Sequence, residues 1–153
     1  HGAYVVAPRN VAHRLNVPFV DATKITHDIE TELGIEGSRK LHMWFRPGEC
    51  SQIPKGRKDN THYNVYGARL VANALADEIG KQVPELKKHV RHYDYVVSTR
   101  GRGNYFTLQD AVDAVPAGKR VKVLVLDGSW KKPENMKGKK IKFILQFGAK
   151  ITD

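Results

Sequence analysis

The chain has 153 residues and 41% hydrophobic content, enough for one ordinary core or two small ones. No apolar run approaches the roughly 20 residues that a membrane-spanning helix needs, and Cys50, the single cysteine, excludes an internal disulfide and a cysteine metal cluster. The net charge of +10 is concentrated in the last third, at Lys119, Arg120, Lys122, Lys131, Lys132, Lys137, Lys139, Lys140, Lys142 and Lys150. Such a surface attracts polyanions, whether nucleic acid, acidic polysaccharide or an anionic membrane face, unless it is only a solvated lysine-rich face.

In chain order, His1-Gly2-Ala3-Tyr4 shows neither an initiator methionine nor a basic-then-apolar leader, and is expected to be the interior of a longer sequence. Ala3 to Leu15 is expected to be helical, with Val6, Val11 and Leu15 on one face. Val17-Pro18-Phe19-Val20-Asp21 reads as a short buried strand with its proline near the start. Thr23 is the expected N-cap of a helix carrying Ile25, Ile29 and Leu33, which Gly34 stops. Residues 46 to 60 are rich in proline, glycine and charge and read as a surface loop. Thr61 to Ile79 carries the strongest helical pattern, with Val65, Ala68, Ala72, Leu75 and Ile79 on one stripe. Strand alternating with helix predicts a parallel sheet covered by helices.

Pro84 to His92 is polar and charged after that clean pattern, which predicts a boundary. The organisation expected is residues 1–83, a linker over 84–93, and a second domain over 94–153. The second part opens with a strand at Tyr95-Val96-Val97 and a glycine loop, Arg100-Gly101-Arg102-Gly103-Asn104. Thr107 caps a predicted helix over Leu108 to Val115, closed by Pro116-Ala117-Gly118. Val121 to Leu126 and Ile141 to Phe147 read as strands, and Gly148-Ala149-Lys150-Ile151 begins another.

The chemistry concentrates at Asp59-Asn60-Thr61-His62. A carboxylate three residues before a histidine can hold the imidazole in one tautomer, leaving its other nitrogen to take a proton from a hydroxyl nucleophile. The same spacing also suits Asp59 as a helix N-cap with His62 as a first-turn surface residue. Trp44, Phe45 and Tyr63 flank this pair and can either stack on a sugar ring or pack the loop onto the core. His27 and His42 read as fillers. His89 and His92 in the linker are spaced i, i+3, with His62 as the nearest third ligand, too weak a pattern for a zinc site. The serines are Ser38, Ser51, Ser98 and Ser129. Asp127-Gly128-Ser129 follows an apolar strand, but its order is the reverse of a Gly-Asp-Ser nucleophile block, so Ser129 is not expected to be a nucleophile.

Several segments carry a resemblance: His1-Gly2-Ala3-Tyr4, Leu15-Asn16-Val17-Pro18-Phe19-Val20-Asp21, Leu33-Gly34 with Gly37-Ser38, Met43-Trp44-Phe45-Arg46-Pro47-Gly48, Asp59-Asn60-Thr61-His62 and Gly67-Ala68-Arg69. Together they resemble the C-terminal half of rhamnogalacturonan acetylesterase-like SGNH, or GDSL, hydrolases. That resemblance implies an α/β fold, a flavodoxin-like three-layer domain lacking its N-terminal strands. It implies Asp59 as orienting acid and His62 as base; Trp44 and Tyr63, which flank the pair, are the expected substrate contacts. The reaction implied is cofactor-free, metal-free hydrolysis of acetyl esters on an acidic pectic polysaccharide, in a secreted or periplasmic protein. The family's serine block lies upstream of these residues, so the polypeptide alone is expected to be a poor esterase, and the missing N-terminal part of the same protein is a natural partner.

Tyr95-Val96-Val97-Ser98, Gly101, Gly103, Tyr105-Phe106-Thr107-Leu108-Gln109 and Ala111 to Pro116 resemble the opening of pectin methylesterases and related parallel β-helix enzymes. The resemblance implies a helix cap and the first strands of a β-helix, with no catalytic residue. Both resemblances point to pectin, a polyanion, and to neither nucleic acid nor membrane. The alternatives are a nucleic-acid-binding protein, suggested by the basic tail and Arg100-Gly101-Arg102-Gly103, and a non-catalytic polysaccharide-binding module. Against the first, aromatics are not interleaved with the basic run.

Overall fold

The computed structural model describes residues 2–146 and 148–153. His1, from the opening motif, and Phe147, the expected end of the strand from Ile141, lie outside the described residues. The chain divides into two compact units, His1–Val90 and Arg91–Asp153.

The first unit begins with helix α1 (Gly2–Leu15). Its expected apolar face is not covered: Val6, Val11 and Leu15 are exposed, and Ala12 is the buried residue of the helix. The segment after it is not the expected strand. A strand is stable only where a neighbour takes up its backbone hydrogen bonds, and no described strand lies alongside Val17 to Val20. The chain runs extended into Asp21, and Asp21, not Thr23, caps helix α2 (Ala22–Arg39): its Oδ1 accepts from the Lys24 N–H at 3.0 Å. Arg9 donates to the other carboxylate oxygen. Gly34 does break the helical geometry, at φ 65° and ψ −177°, but the chain re-enters a helix and continues to Arg39.

Strands β1 (His42–Phe45) and β2 (Arg57–Tyr63) form an antiparallel hairpin. The surface loop expected over 46–60 is therefore shorter, and its last four residues lie in β2. Gly56, at φ 75°, closes the turn where a Cβ would lie 2.6 Å from the Phe45 carbonyl oxygen. The partners are Met43 with Asp59, Trp44 with Lys58 and Phe45 with Arg57. The next pair is His42 with Tyr63, so Asn60, Thr61 and His62 bulge from the ladder.

Helix α3 (Val65–Gln82) starts four residues later than its apolar pattern suggests. Its cap is Asn64, whose Oδ1 accepts from the Gly67 N–H at 2.9 Å while its Nδ2 donates to the Lys40 and His42 carbonyls. The buried face runs through Gly67 and Val71, whereas Val65, Ala68, Ala72 and Ile79 of the expected stripe are exposed. The parallel sheet on which that stripe would lie is not among the described elements of this unit, whose sheet is the two-stranded hairpin. A 3-10 turn, Pro84–His89, packs back on α3, with Val90 against Gly80.

The second unit is built differently. β3 (Tyr95–Val97), β4 (Arg120–Val125) and β6 (Lys140–Leu145) make one parallel sheet in the order β3-β4-β6, and β5 (Ser129–Lys131) pairs in parallel with β7 (Lys150–Thr152). Helix α4 (Leu108–Asp113) ends two residues earlier than expected; Thr107 caps it, with Oγ1 accepting from Asp110 N–H at 3.1 Å. Lys139 reaches its other end and donates to the Val112 carbonyl at 2.6 Å, where a cation meets the negative end of the helix. Val97, Leu108, Ala111, Val115, Val121, Val123, Val125 and Ala149 form the core. The alternation in β4 puts Val121, Val123 and Val125 inward and Arg120 and Lys122 outward.

The whole chain is thus mixed α/β, with helices and small parallel and antiparallel sheets. The tightest constraint lies at the hairpin–helix junction, where a Cβ on Gly67 would sit 2.1 Å from the Leu41 carbonyl oxygen. Gly67→Ala is expected to destabilise the first unit by about 3 kcal/mol, and Asn64→Ala by about 2 kcal/mol through lost cap and carbonyl bonds. Urea unfolding followed at Trp44, with Trp130→Phe as background, measures both; an unchanged midpoint for Gly67→Ala would show that the junction gives way freely.

Candidate active site

The site grows from the bulge in β2. Asp59 is paired with Met43 at the last regular rung of the hairpin, and its carboxylate folds the three following residues around itself. Oδ1 accepts from the Thr61 N–H at 2.8 Å and the His62 N–H at 3.0 Å. These are the bonds of an Asx turn, which a short carboxylate side chain makes to the backbone two and three residues on. Oδ2 lies 2.9 Å from Nδ1 of His62. Backbone geometry and imidazole orientation therefore come from one side chain. The sequence places Asp59 beside His62 on a loop entering a helix; the structure sets Asp59 on the last regular rung of β2 and His62 in the bulge after it, with neither in α3.

The N–H groups of His62 and Thr61 and the ring of His62 hold the Asp59 carboxyl down to about 2, below its ordinary value of 3.8. An ionised carboxylate can only accept, so Nδ1 of His62 is the donor to Asp59, and in the neutral ring Nε2 is the nitrogen with a free lone pair. The Asp59 side chain is 14% exposed and that of His62 is 69% exposed. The acid is shielded while the imidazole stands open to an incoming group. Arg57 adds a cation on the same side of the hairpin: its Nε lies 3.7 Å from Asp59 Oδ2.

Trp44 and Tyr63 are tied toward α2. Trp44 Nε1 donates to Asn60 Oδ1 at 2.7 Å, and the Arg39 guanidinium stands 4.7 Å from the ring centroid. Tyr63 stacks on His42, with centroids 4.7 Å apart and planes at 26°, and donates to Glu30 Oε1 at 2.8 Å. Burial and the neighbouring Glu30 push its phenol up to about 12. His42 is buried and its Nε2 meets the same Glu30 oxygen at 3.2 Å. Both aromatic rings thus anchor the hairpin to the helix.

Three structural contributors were not singled out from the sequence. Asn64 was readable, because an Asn just before an apolar helical run is a start signal. Arg57 and Glu30 have no local signal; register and tertiary contact bring them in. Among the described residues no cluster of three metal-ligating side chains occurs. In the second unit the Asp127 carboxylate accepts from Ser98 Oγ, Thr99 N–H and Thr99 Oγ1, each at 2.7 Å. Asp127 therefore ties the end of β4 to the end of β3, and Ser129 begins β5 beyond it.

A depressed carboxyl stabilises the fold above its unfolded value near 3.8, and that contribution disappears as pH falls through about 2. Asp59→Asn should thus flatten the loss of stability between pH 4 and pH 2. Denaturant unfolding across that window, with carbon-13 titration of the Asp59 carboxyl, measures it; a midpoint near 3.8 would mean that the three donors do not hold the charge.

A search of protein-family descriptions finds no match, and neither does a search of solved structures. Among curated proteins, the chain is similar to the rhamnogalacturonan acetylesterase RhgT of Bacillus subtilis (strain 168), at 36% identity over 89 residues, 58% of this chain. The matched stretch spans 38% of the relative's own length. The chain thus contains a segment similar to part of a rhamnogalacturonan acetylesterase, and it spans well under half of that relative's length.

Proposed function

We propose that this chain supplies the base and the orienting acid of a serine-type carbohydrate esterase acting on acetyl esters of a pectic polysaccharide such as rhamnogalacturonan. The observation that carries the reading is the 2.9 Å pairing of Asp59 with His62 in a chain similar to part of an acetylesterase. A serine hydroxyl from a segment outside these residues would give its proton to His62 Nε2 as its oxygen attacks the acetyl carbonyl. The tetrahedral intermediate collapses, and His62 returns the proton to the departing sugar oxygen. Water, deprotonated by the same nitrogen, then cleaves the acetyl-enzyme. Asp59 stabilises the imidazolium in both half-reactions. The chemistry needs no cofactor.

The exposed apolar residues of α1 and α3 support the same reading. Val6, Val11, Leu15, Val65 and Ile79 are exposed on helices whose apolar faces no described strand covers. One additional segment, the N-terminal part of the same protein, would bring both the cover and the nucleophile.

For the second unit we propose the start of a pectinesterase-like β-helix. Residue 140 pairs with 120 and residue 150 with 129, about twenty residues apart, and residue 123 pairs with 95 across a longer connection that carries α4, so strands stack in parallel in two ladders. A non-catalytic polyanion-binding role is the second reading, favoured by the charge of +10.

The chain alone is expected to hydrolyse 4-nitrophenyl acetate no faster than free imidazole, with Ser129→Ala unchanged. Co-expression with a segment carrying a serine block should restore saturable esterase activity, and Asp59→Asn should then lower kcat by about four orders of magnitude. Saturable turnover by the chain alone, abolished in Ser129→Ala, would sink the proposal.

A further inference from the structure

The parallel register of the second unit places like charges directly opposite each other. Arg120 pairs with Lys140 and Lys122 with Lys142, and all four side chains are exposed on the outer face, while Val121 and Val123 between them are buried. The spacing of a parallel sheet sets these cations on a grid of about 4.8 Å across the strands and about 6.6 Å along them. Among the described residues none of the four has an acidic side chain within ion-pair distance. Asp94, the acid nearest in register, spends its Oδ2 on the Lys122 backbone N–H at 2.8 Å. Like charges directly opposite destabilise a sheet, so the strands carry a cost that an anion lying across them would relieve. The unit as a whole has thirteen Lys and Arg against six Asp and Glu.

We propose that this ladder is a binding face for the carboxylates of an acidic polysaccharide, running across the strands. The inference rests on the carbohydrate-esterase reading for its choice of polyanion. The face itself also favours a glycan over nucleic acid. Three of the four cations are lysines, point charges without the forked geometry that grips phosphate. Beyond the cations the same face carries Leu124, which is buried, and Ile144, which is half-buried, so neither strand sets an exposed aromatic ring beside the cations to stack a base. The ladder would hold the uronate backbone of the polymer while the ester is presented elsewhere.

The test uses the intact 153-residue chain and oligogalacturonate, measured by calorimetry at low and physiological salt. The expected result is salt-dependent binding that drops about tenfold in the quadruple variant Arg120→Gln, Lys122→Gln, Lys140→Gln, Lys142→Gln. A control variant of equal charge, Lys119→Gln, Lys131→Gln, Lys137→Gln, Lys150→Gln, should retain most of the affinity. The ladder variant should melt no lower than the parent, since it loses repulsion. Equal loss in both variants, equal affinity for the fully methyl-esterified oligomer, or tighter ladder-dependent binding of a single-stranded oligonucleotide would each overturn the proposal. Ladder-dependent glycan binding in a protein that never gains esterase activity would support this inference while sinking the catalytic reading. Esterase activity without ladder-dependent binding would do the reverse.

Discussion

The Asp59 carboxylate satisfies three donors at once, the backbone N–H groups of Thr61 and His62 and the ring of His62. Each bond depends on the others. Without the two backbone bonds the bulge has no reason to hold its shape, because the three extra residues have left the ladder to β1. Without the bulge His62 would follow the alternation of the strand, and its ring would no longer fold back on Asp59. The negative charge is kept by the same contacts that build the turn. Local structure and acid–base chemistry are therefore one physical object here, and the strand partner Met43 and the cap Asn64 fix its two ends.

The rest of the first unit is arranged around that object and is short of apolar cover. Leu41 is fully buried and the junction with Gly67 is tight, yet α1 and much of α3 turn hydrophobic side chains outward. Burial of a Val or Leu side chain contributes about 1.5–3 kcal/mol, so several uncovered ones leave a helix pair with little to hold it. The second unit has the reverse balance. Val121, Val123 and Val125 of β4 point inward beside Val97 of β3, Ile141 and Phe143 of β6 pack against them, α4 closes one side, and polar residues clamp strand ends through Asp127 and Asp94.

What could be read from the residues divides along the same line. Periodicity marked α1, α3 and the strands of the second unit, because those patterns repeat over several turns or rungs. The pairing of Asp59 and His62 was legible from spacing together with the segments around it. The hairpin was not. Residues 57–63 are charged and polar with no alternation of apolar residues, and they become a strand through pairing with His42–Phe45 rather than through their own preference. The start of α3 was misplaced for a related reason: Thr61 and Asn64 are both fair caps, and the ladder to Tyr63 decides in favour of Asn64. The strand expected at Val17 to Asp21 shows the opposite error, a good local pattern with no described neighbour to complete it.

A sequence that satisfies local rules nearly everywhere makes its departures informative. Gly67 gives up helix propensity of about 1 kcal/mol relative to Ala, and the departure is repaid locally by the approach of the Leu41 carbonyl. The stacked cations at 120, 122, 140 and 142 find no such local repayment. Their strands would gain from a glutamate or a threonine at any of the four positions, since opposite charges or hydroxyls across a rung stabilise a sheet. Retaining four like charges in register, on the outer face of a well-packed core, is intelligible when the compensating charge arrives from outside. The bulge at Asp59 finds its compensation inside the chain, in three donors to one carboxylate, whereas the proposed polyanion would supply it to the ladder from outside.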